Sequence, residues 1–269
     1  MELPGRLVLI GHPVAHSLSP VFQNAALRKA GIPLEYEAAD VRPDELATMT
    51  GLLRDAHAAG NVTVPHKEAF AALCDRLTPV AERAGAVNTF WTEEDGTLVG
   101  DNTDVGGFDA AIREAFGPPR PAMVVALLGA GGAAAAVLAA AERWSAATVR
   151  IATRSPARGA ALAQRFGRFV TIAPNVASAV AGAHLVVNAT PIGLHGDEVP
   201  VDPALLEAQA DAFDLTYRRN GTPWVLGCRA RGLRAADGLT MVVEQGALAF
   251  ERWFGQRPDK AAMWSALRR

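Results

Sequence analysis

The sequence has few of the residues that mark several protein classes. It holds two cysteines, Cys74 and Cys228, which are far apart and lack metal-ligand spacing. We therefore expect no disulfide framework, which is typical of proteins in a reducing compartment. The six histidines show no ligand spacing either, so we expect no metal. The formal net charge of -2 lacks the basic excess of nucleic-acid-binding proteins, and we expect no nucleic-acid partner.

Long hydrophobic runs are also missing. The apolar run near the N-terminus is too short for a signal peptide, and the alanine-rich tract at 133–141 is too short and too weakly apolar to span a bilayer. We therefore expect a cytoplasmic protein without a membrane partner. Of the 269 residues, 50% are hydrophobic and 20% are charged, which is typical of a globular protein with a substantial core.

Short apolar strands alternate with longer helical patterns, which predicts an α/β protein with parallel sheets. A helix is predicted at 19–31, with Ser19 as its N-cap, Pro20 in its first turn and Gly31 at its end. The predicted strands are 7–10, 34–41, 61–64, 123–129, 184–190 and 211–217. The pattern indicates two α/β lobes, the first ending near residue 104.

The octamer NVTVPHKE at 61–68 alternates polar and β-branched residues and then breaks at Pro65. Such alternation predicts a half-buried strand, and proline cannot donate to a sheet ladder. Lys67 is therefore expected on the exit loop of a strand, where open α/β sheets carry binding and catalytic groups. Taken alone, the octamer favours a solvated surface lysine after a turn.

A predicted strand, a glycine-rich turn and an alanine-rich helix follow one another at 123–143. Gly129, Gly131 and Ala134 fill the three small positions of the dinucleotide-binding motif G-x-G-x-x-G/A, whose backbone approaches a pyrophosphate closely. The candidate cofactor-binding residues here are Gly129, Ala130, Gly131, Gly132 and Ala133. A tight turn between a buried strand and a helix is the alternative.

The following strand ends in ATRSPARG and carries no acid. An NAD-binding protein has Asp or Glu there to accept from the ribose 2′-OH, whereas arginine can pair with the 2′-phosphate of NADP. Thr153, Arg154, Ser155 and Arg158 are thus candidate cofactor contacts, and the predicted cofactor is NADP. Arg158 alone could be a surface charge at the start of a helix.

Polar residues also follow the strands predicted in the first lobe. In an open parallel sheet such exits converge on one crevice, and this mixture of groups suits a small, polyhydroxylated, anionic substrate. These residues are Ser17, Ser19, Asn61, Thr63, Lys67, Asn88 and Asp104. Singly, each has a structural alternative, because Ser19 is a good N-cap, Asn88 could cap a turn and Asp104 could start a helix.

The motifs HSLSP, NVTVPHK, GAVNT, DNTDVGGF, GAGGAA, NATPIG and DGLTMVVEQGALAFERW follow one another along almost the whole chain. Their combination and order resemble the shikimate dehydrogenase family. The resemblance implies an N-terminal substrate-binding domain (1–104 plus 238–269) and a Rossmann-type, doubly wound NADP-binding domain (105–237), facing each other across a cleft. It also implies the reversible, NADP-dependent reduction of 3-dehydroshikimate to shikimate in aromatic amino acid biosynthesis.

By the same resemblance, Lys67 and Asp104 are the catalytic pair: the protonated lysine donates to the nascent alkoxide, and the carboxylate holds the ammonium in place. The implied substrate-binding residues are Ser17, Ser19, Thr63, Asn88, Tyr217 and Gln245, besides the strand-exit candidate Asn61. The implied cofactor-binding residues are Asn188, Thr190, Leu215 and Gly238, besides the glycine-rich turn and the basic strand end.

Four positions depart from the pattern of the family: Gln23 stands where His is common, Thr240 where Gly is usual, and Leu194 and Leu215 where Met is common. Two other functions stay open at this stage. One is an NAD(P)-dependent quinate or aminoshikimate dehydrogenase, since sequence decides the choice of one ring substituent poorly. The other is a non-catalytic, NADP-sensing regulatory protein on the same scaffold. A monomer and a homodimer are both compatible with the sequence.

Overall fold

The structure, a computed structural model, describes residues 3–145 and 148–268. It divides into two compact units. The first contains the residues up to Gly107 and those from Val242 onward, and the second is Phe108–Met241. Both divisions fall inside helices, α5 (Asp104–Phe116) and α10 (Leu239–Phe254), rather than in linkers. The functional roles that the sequence assigns to the two domains stay predictions.

The first unit is built on a six-stranded sheet in the order β2-β1-β3-β5-β6-β4. Its strands are β1 (Arg6–Gly11), β2 (Tyr36–Asp40), β3 (Ala58–Val62), β4 (Arg76–Leu77), β5 (Thr89–Thr92) and β6 (Leu98–Asp101). Its helices are α1 (Ser19–Ala30), α2 (Leu46–Asp55), α3 (Lys67–Ala71), α4 (Pro79–Ala84), the C-terminal part of α10, and α11 (Lys260–Leu267).

The parallel sheet predicted for this unit contains one antiparallel strand. Strand β5 runs antiparallel to both of its neighbours, β3 and β6. A few residues separate β5 from β6 (Thr92 to Leu98), and such a short connection can only reverse the chain direction, since parallel neighbours need a long crossover. The remaining pairs, including β1 with β2 and β3, are parallel.

The strand predicted at 61–64 lies three residues earlier, at Ala58–Val62, and is buried along its whole length rather than half-buried. Small residues decide this placement, because a Cβ on Gly60 would lie 1.9 Å from the carbonyl oxygen of Val8 in the neighbouring strand. A strand covered on both faces shows no polar–apolar alternation. Val64, which the alternation would bury, is 66% exposed.

The N-cap prediction for α1 is also wrong. The cap residue is Leu18, without a side-chain capping bond, and Ser19 is the first helical residue. The amide of Ser19 instead donates to Oγ of Ser17 at 3.2 Å, a local turn bond that serine hydroxyls commonly make. Gly31 ends the helix in a left-handed conformation (φ 68°), as predicted.

Two apolar layers cover the sheet of the first unit. On one side, α1 packs with the C-terminal helices, and Phe22, Tyr36, Phe250, Trp253 and Met263 belong to this cluster. On the other side, β1 and β3 pack against α2 and α3. Each fully buried side chain of this size contributes roughly 1.5–3 kcal/mol to folding. The residues after Val242 are therefore part of the core of the first unit.

The second unit has a six-stranded, fully parallel sheet in the order β12-β11-β10-β7-β8-β9. Its strands are β7 (Val124–Leu128), β8 (Thr148–Ala152), β9 (Val170–Ile172), β10 (Leu185–Asn188), β11 (Asp211–Asp214) and β12 (Ala235–Asp237). Its helices are most of α5, α6 (Gly132–Arg143), α7 (Pro156–Phe166), α8 (Val176–Val180), α9 (Pro223–Ala230) and the start of α10.

This strand order is that of a doubly wound Rossmann sheet, as predicted. The chain runs outward from β7 through β8 to β9, and then returns to place β10, β11 and β12 on the other side. The order therefore reverses between β7 and β10, where such sheets bind dinucleotides. Over the described residues 3–145 and 148–268, no helix has the length and apolar character required to cross a membrane.

Candidate active site

Four chain segments bring polar residues to one edge of the sheet in the first unit. Strands β1, β3 and β6 run in the same direction, so their C-terminal ends share an edge. Because β5 is antiparallel, its first residue lies at that edge too. Asn88 directly precedes β5, so it reaches the site from the start of a strand, and the strand exit expected for it from the sequence is wrong.

Lys67 and Asp104 meet at this edge. Lys67 is the first residue of the short helix α3 rather than part of an open loop, and Asp104 begins α5. Lys67 Nζ donates to Asp104 Oδ2 at 2.5 Å, although 37 residues separate the two along the chain. Their side chains are only 16% and 7% exposed, so the solvated surface lysine is not what the structure shows.

The side-chain amide of Asn88 organises the other oxygen of Asp104. Asn88 Nδ2 donates to Asp104 Oδ1 at 2.8 Å and to Gln245 Oε1 at 3.2 Å. Its Oδ1 accepts from both the backbone amide (2.7 Å) and the hydroxyl (3.1 Å) of Thr103. These bonds determine the orientation of the amide, so one carboxylate oxygen of Asp104 faces Asn88 and the other faces the lysine.

Asn61 and Thr63 lie at the end of β3. Asn61 is buried and donates to the carbonyl of Asn88 at 3.0 Å, while its Oδ1 accepts from the hydroxyl of Tyr36 at 2.7 Å. Burial raises the pKa of Tyr36 well above its ordinary value, which keeps this phenol a neutral donor. Thr63 packs closely on Gly11: a Cβ added to Gly11 would lie 2.3 Å from the methyl carbon of Thr63.

Ser17, Ser19 and Gln245 complete the set of first-unit residues. The hydroxyl of Ser17 is bonded to the amide of Ser19, and Gln245 anchors its own amide on the carbonyl of Val242 at 2.8 Å. The departure at Gln23 lies next to them: it is fully buried and donates to the carbonyl of Gly246 at 2.9 Å. Glutamine therefore connects α1 to the residue after Gln245.

The glycine-rich turn of the second unit has the form that a pyrophosphate requires. Gly129 has φ 113°, and a Cβ on it would lie 2.8 Å from the carbonyl oxygen of Ala189. Gly131 is the N-cap of α6 without a side-chain capping bond, and a Cβ there would meet nothing within 4 Å. Ala130, Gly132 and Ala133 are half-buried, and the first amides of α6, from Gly132 and Ala133, have no intrahelical acceptor and suit an anion.

The basic segment follows β8 at the same edge. Arg154 and Arg158 are exposed, and the hydroxyl of Thr153 accepts from the amide of Ser155 at 3.1 Å, which shapes the turn into α7. An exposed guanidinium beyond the second strand of this sheet is suitably placed for a 2′-phosphate. The free amides at the start of α6 and the exposed arginines after β8 fit the pyrophosphate and the 2′-phosphate of NADP, respectively.

The remaining second-unit candidates lie at the end of β10 or just beyond β10, β11 and β12. Asn188 Oδ1 accepts from the amide (3.0 Å) and the hydroxyl (2.6 Å) of Thr190, and its carbonyl accepts from the amide of Leu215 at 2.9 Å. A Cβ on Gly238 would lie 2.3 Å from the carbonyl oxygen of Leu215. Tyr217 also belongs to this unit, so its assignment to the substrate stays a prediction.

Comparison with known proteins gives the family. Residues 9–90 match the shikimate dehydrogenase substrate binding domain, and residues 238–268 match the shikimate 5′-dehydrogenase C-terminal domain. A shikimate dehydrogenase (NADP(+)) from Mesorhizobium japonicum is 41% identical over 99% of this chain and 96% of its own length. The chain belongs to the shikimate dehydrogenase family.

Two further shikimate dehydrogenases agree with this assignment. The NADP(+) enzyme of Rubrobacter xylanophilus is 44% identical over 96% of this chain and 94% of its own. The shikimate 5-dehydrogenase of Thermus thermophilus, solved in complex with NADP(H) and shikimate, superposes with a TM-score of 0.89 at 38% identity. That superposition covers 99% of both chains, so the likeness extends over the whole fold.

Some residues that contact the shikimate dehydrogenase site candidates do not stand out in the sequence. Thr103 orients Asn88, Tyr36 supports Asn61, and Asp214 binds the amide of Asn188 at 2.9 Å. The signal for Asp214 is an acid that ends a short apolar strand, directly before the predicted contact Leu215. Thr103 and Tyr36 carry no comparable local signal, because their partners are distant in the chain.

Proposed function

We propose that this protein is an NADP-dependent shikimate dehydrogenase, an oxidoreductase that reversibly reduces 3-dehydroshikimate to shikimate in aromatic amino acid biosynthesis. The observation that carries the proposal is the buried contact between Lys67 and Asp104, in a chain whose relatives have this name. A buried residue pair that can carry and hold a proton is what a carbonyl reduction requires of the protein.

The coenzyme, when bound, supplies the hydride, and the protein manages one proton. In the reducing direction, the protonated amine of Lys67 donates to the oxygen of the substrate as negative charge develops there. Its positive charge stabilises that oxygen before the proton moves. In the oxidising direction the neutral amine accepts the proton from the hydroxyl, so Lys67 serves as general acid and general base in turn.

Asp104 positions the amine and balances its charge. Because Asn88 binds one carboxylate oxygen and Lys67 the other, the carboxylate cannot rotate without losing a hydrogen bond. The ammonium is thereby held in a single place, and positioning of this kind can supply several kcal/mol of the lowering of the barrier. Neither the carboxylate nor the amide needs to change protonation state during turnover.

For the substrate, we propose that Ser17 and Ser19 bind the carboxylate. The hydroxyls and the carbonyl oxygen attached to the ring would be bound by Asn61, Thr63, Lys67, Asn88, Tyr217 and Gln245. Support comes from the first-unit members, which share one sheet edge and include buried groups able to donate and accept. A polyol needs this mixture, since each hydroxyl both donates and accepts.

For the coenzyme, we propose that the second unit is the NADP-binding domain and that the first is the substrate-binding domain. Gly129 to Ala133 would hold the pyrophosphate on the amides of α6. Thr153, Arg154, Ser155 and Arg158 would hold the 2′-phosphate. Asn188, Thr190, Leu215 and Gly238 would line the remaining part of the site, beyond β10, β11 and β12.

The two other functions that the sequence leaves open are not favoured. The relatives at about 40% identity are named shikimate dehydrogenases, rather than quinate or aminoshikimate dehydrogenases. A non-catalytic, NADP-sensing role requires no proton carrier, whereas Lys67 is held against Asp104. The cytoplasmic location stays a prediction, which cell fractionation would test. The choice between monomer and homodimer stays open, and light scattering would decide it.

The function is tested by mixing the purified protein with shikimate and either NADP⁺ or NAD⁺ and following the absorbance of the reduced nicotinamide. We expect rapid reduction of NADP⁺ with shikimate, slow reduction of NAD⁺, and little activity when quinate replaces shikimate. Faster turnover of quinate would support the quinate dehydrogenase instead. NADPH binding without turnover of either acid would support the regulatory protein.

A further inference from the structure

Asp214, the last residue of β11, is fully buried and is surrounded by neutral hydrogen-bond donors. Its Oδ1 accepts from Asn188 Nδ2 at 2.9 Å, from the amide of Thr216 at 3.0 Å and from the Thr216 hydroxyl at 2.9 Å. Its Oδ2 accepts from the hydroxyl of Thr222 at 2.7 Å. Burying a carboxylate costs free energy unless its oxygens are hydrogen-bonded. These four bonds together offset that cost.

The four bonds connect the last residue of β10, the residues directly after β11 and Thr222, the N-cap of α9. Asn188 ends β10 and in turn binds the amide and hydroxyl of Thr190. Thr216 lies between Leu215 and Tyr217, and its carbonyl accepts from the amide of Gly238 beyond β12 at 3.0 Å. Asp214 thereby determines how the segments after β10 and β11 lie relative to each other.

These segments belong to one half of the doubly wound sheet. Such a sheet consists of two mononucleotide-binding halves, and a dinucleotide lies across the point where the strand order reverses. Here β7, β8 and β9 with the glycine-rich turn form one half, and β10, β11 and β12 form the other. The bonds of Asp214 lie wholly in the second half, whereas the basic residues Arg154 and Arg158 follow β8 in the first.

We propose that Asp214 is a positioning residue for the nicotinamide half of the coenzyme site, acting through Asn188 and Thr216 rather than by touching the coenzyme. This inference rests on the proposed function, since it takes NADP as the coenzyme. Removing the carboxylate leaves the amide of Asn188 and the groups of Thr216 buried without their acceptor, and the two segments shift to find other partners.

The test compares two ligands by isothermal titration calorimetry: NADP⁺, which occupies both halves, and adenosine 2′,5′-bisphosphate, which occupies the adenine half alone. For Asp214→Ala we expect the Kd for NADP⁺ to rise about tenfold. The Kd for adenosine 2′,5′-bisphosphate should stay within about twofold of the unmutated protein, because none of the displaced groups lies in its half of the site.

The matched control is Thr222→Val. Thr222 donates to the other oxygen of the same carboxylate, Oδ2, and it also caps α9 by accepting from the amide of Val225. Its removal leaves the bonds from Asn188 and Thr216 to Oδ1 in place. We expect this variant to lower Tm and to leave the Kd of both ligands within about twofold. The control thus separates loss of stability from loss of positioning.

Asp214→Asn is the second variant, and it decides the matter if Asp214→Ala does not fold. An amide oxygen can still accept from Asn188 and Thr216, but more weakly than a carboxylate. A Kd for NADP⁺ raised about threefold, with adenosine 2′,5′-bisphosphate unaffected, would support the inference. Unchanged binding of NADP⁺ in the folded variants, or an equal loss of both ligands, would overturn it.

The outcome is independent of catalysis. If the unmutated protein binds NADP⁺ but does not oxidise shikimate, the proposed function fails while the role of Asp214 is still measured. If the unmutated protein oxidises shikimate and the Asp214 variants bind NADP⁺ normally, the inference fails and the proposed function stands.

Discussion

At the sheet edges that carry the predicted sites, the buried acidic side chains of the two units have different hydrogen-bond partners. In the first unit, Asp104 binds the ammonium of Lys67, and Asp101 binds the guanidinium of Arg252 at 2.8 Å. In the second unit, Asp214 is bonded by one amide side chain, one backbone amide and two hydroxyls. The ammonium of Lys67 can give up and regain a proton, whereas the guanidinium of Arg252 only balances charge and the neutral donors around Asp214 only set geometry.

The difference matches the tasks proposed for the two units. Chemistry on a carbonyl requires a group that gains and loses a proton, and an ion pair keeps that group charged and in place. Binding a coenzyme requires a fixed arrangement of loops, which neutral hydrogen bonds can provide. Cations such as Arg154 are then exposed, as a contact to a phosphate requires. The following predictions test this contrast, beginning with the largest expected effect.

Lys67→Ala should lower kcat about 10²–10⁴-fold with little change in KM, because it removes the proton carrier. Steady-state kinetics in both directions measures this effect. Lys260→Ala is the control, because Lys260 is half exposed and pairs with Glu244, outside the predicted site, and the kcat of this variant should not change. A raised KM at unchanged kcat would make Lys67 a binding residue only.

Arg154→Ala should reduce the preference for NADP⁺ over NAD⁺ roughly ten- to a hundredfold, the worth of one charge-assisted hydrogen bond to the 2′-phosphate. The ratio of kcat/KM for the two coenzymes measures it. Arg168→Ala is the control, because this exposed arginine precedes β9 and so lies at the opposite edge of the same sheet. An unchanged ratio in Arg154→Ala would shift the selection to Arg158 or to the turn itself.

Arg252→Ala should lower the free energy of unfolding by about 1–3 kcal/mol, since Asp101 is buried and loses its cation while Arg252 itself is half exposed. Urea denaturation measures it. Arg6→Ala breaks a pair of equal length, 2.8 Å, in which both partners are 50% exposed, and it should cost about 1 kcal/mol or less. Equal losses in the two variants would show that burial of the acid does not matter.

The smallest effect concerns pH. Burial raises the pKa of Asp214, while hydrogen bonds from Thr222, Thr216 and Asn188 oppose the rise. The folded state therefore holds this proton to higher pH than the unfolded state, and unfolding releases it. Stability should decline as pH rises from about 4, the ordinary value for Asp, to the raised pKa, and level off above it. Asp214→Asn should remove this decline from the curve of Tm against pH; a curve of unchanged slope would contradict it.

The local features of the fold were accessible from sequence because they depend on neighbouring residues. The helix ending at Gly31, the turn at Gly129 and the strand-helix alternation of the second unit all follow from periodicity and from glycine's access to positive φ. The strand β3 was misplaced because Ala58, Ala59 and Gly60 are small and buried on both faces. Alternation, the signal used to find it, is absent from such a strand.

The candidate site was only partly accessible for the same reason. The motif resemblance names Lys67 and Asp104, but spacing alone does not bring them together. The supporting contacts of Thr103 and Tyr36 have no local signature, and the acid that ends the strand before Leu215 marks Asp214 without naming its partners. Each of these contacts depends on which strands are neighbours in the sheet.

By itself, the sequence determined the α/β class, the family, and the glycine-rich turn with its basic strand end. Only the tertiary structure decided that β5 runs antiparallel and brings Asn88 to the sheet edge of the predicted site, and that Lys67 reaches Asp104 across 37 residues. It alone decided that Asp214 is satisfied by neutral donors. The physical reason is range: turns and periodicity are set within a few residues, whereas the partner of a buried polar group is set by the packing of distant strands.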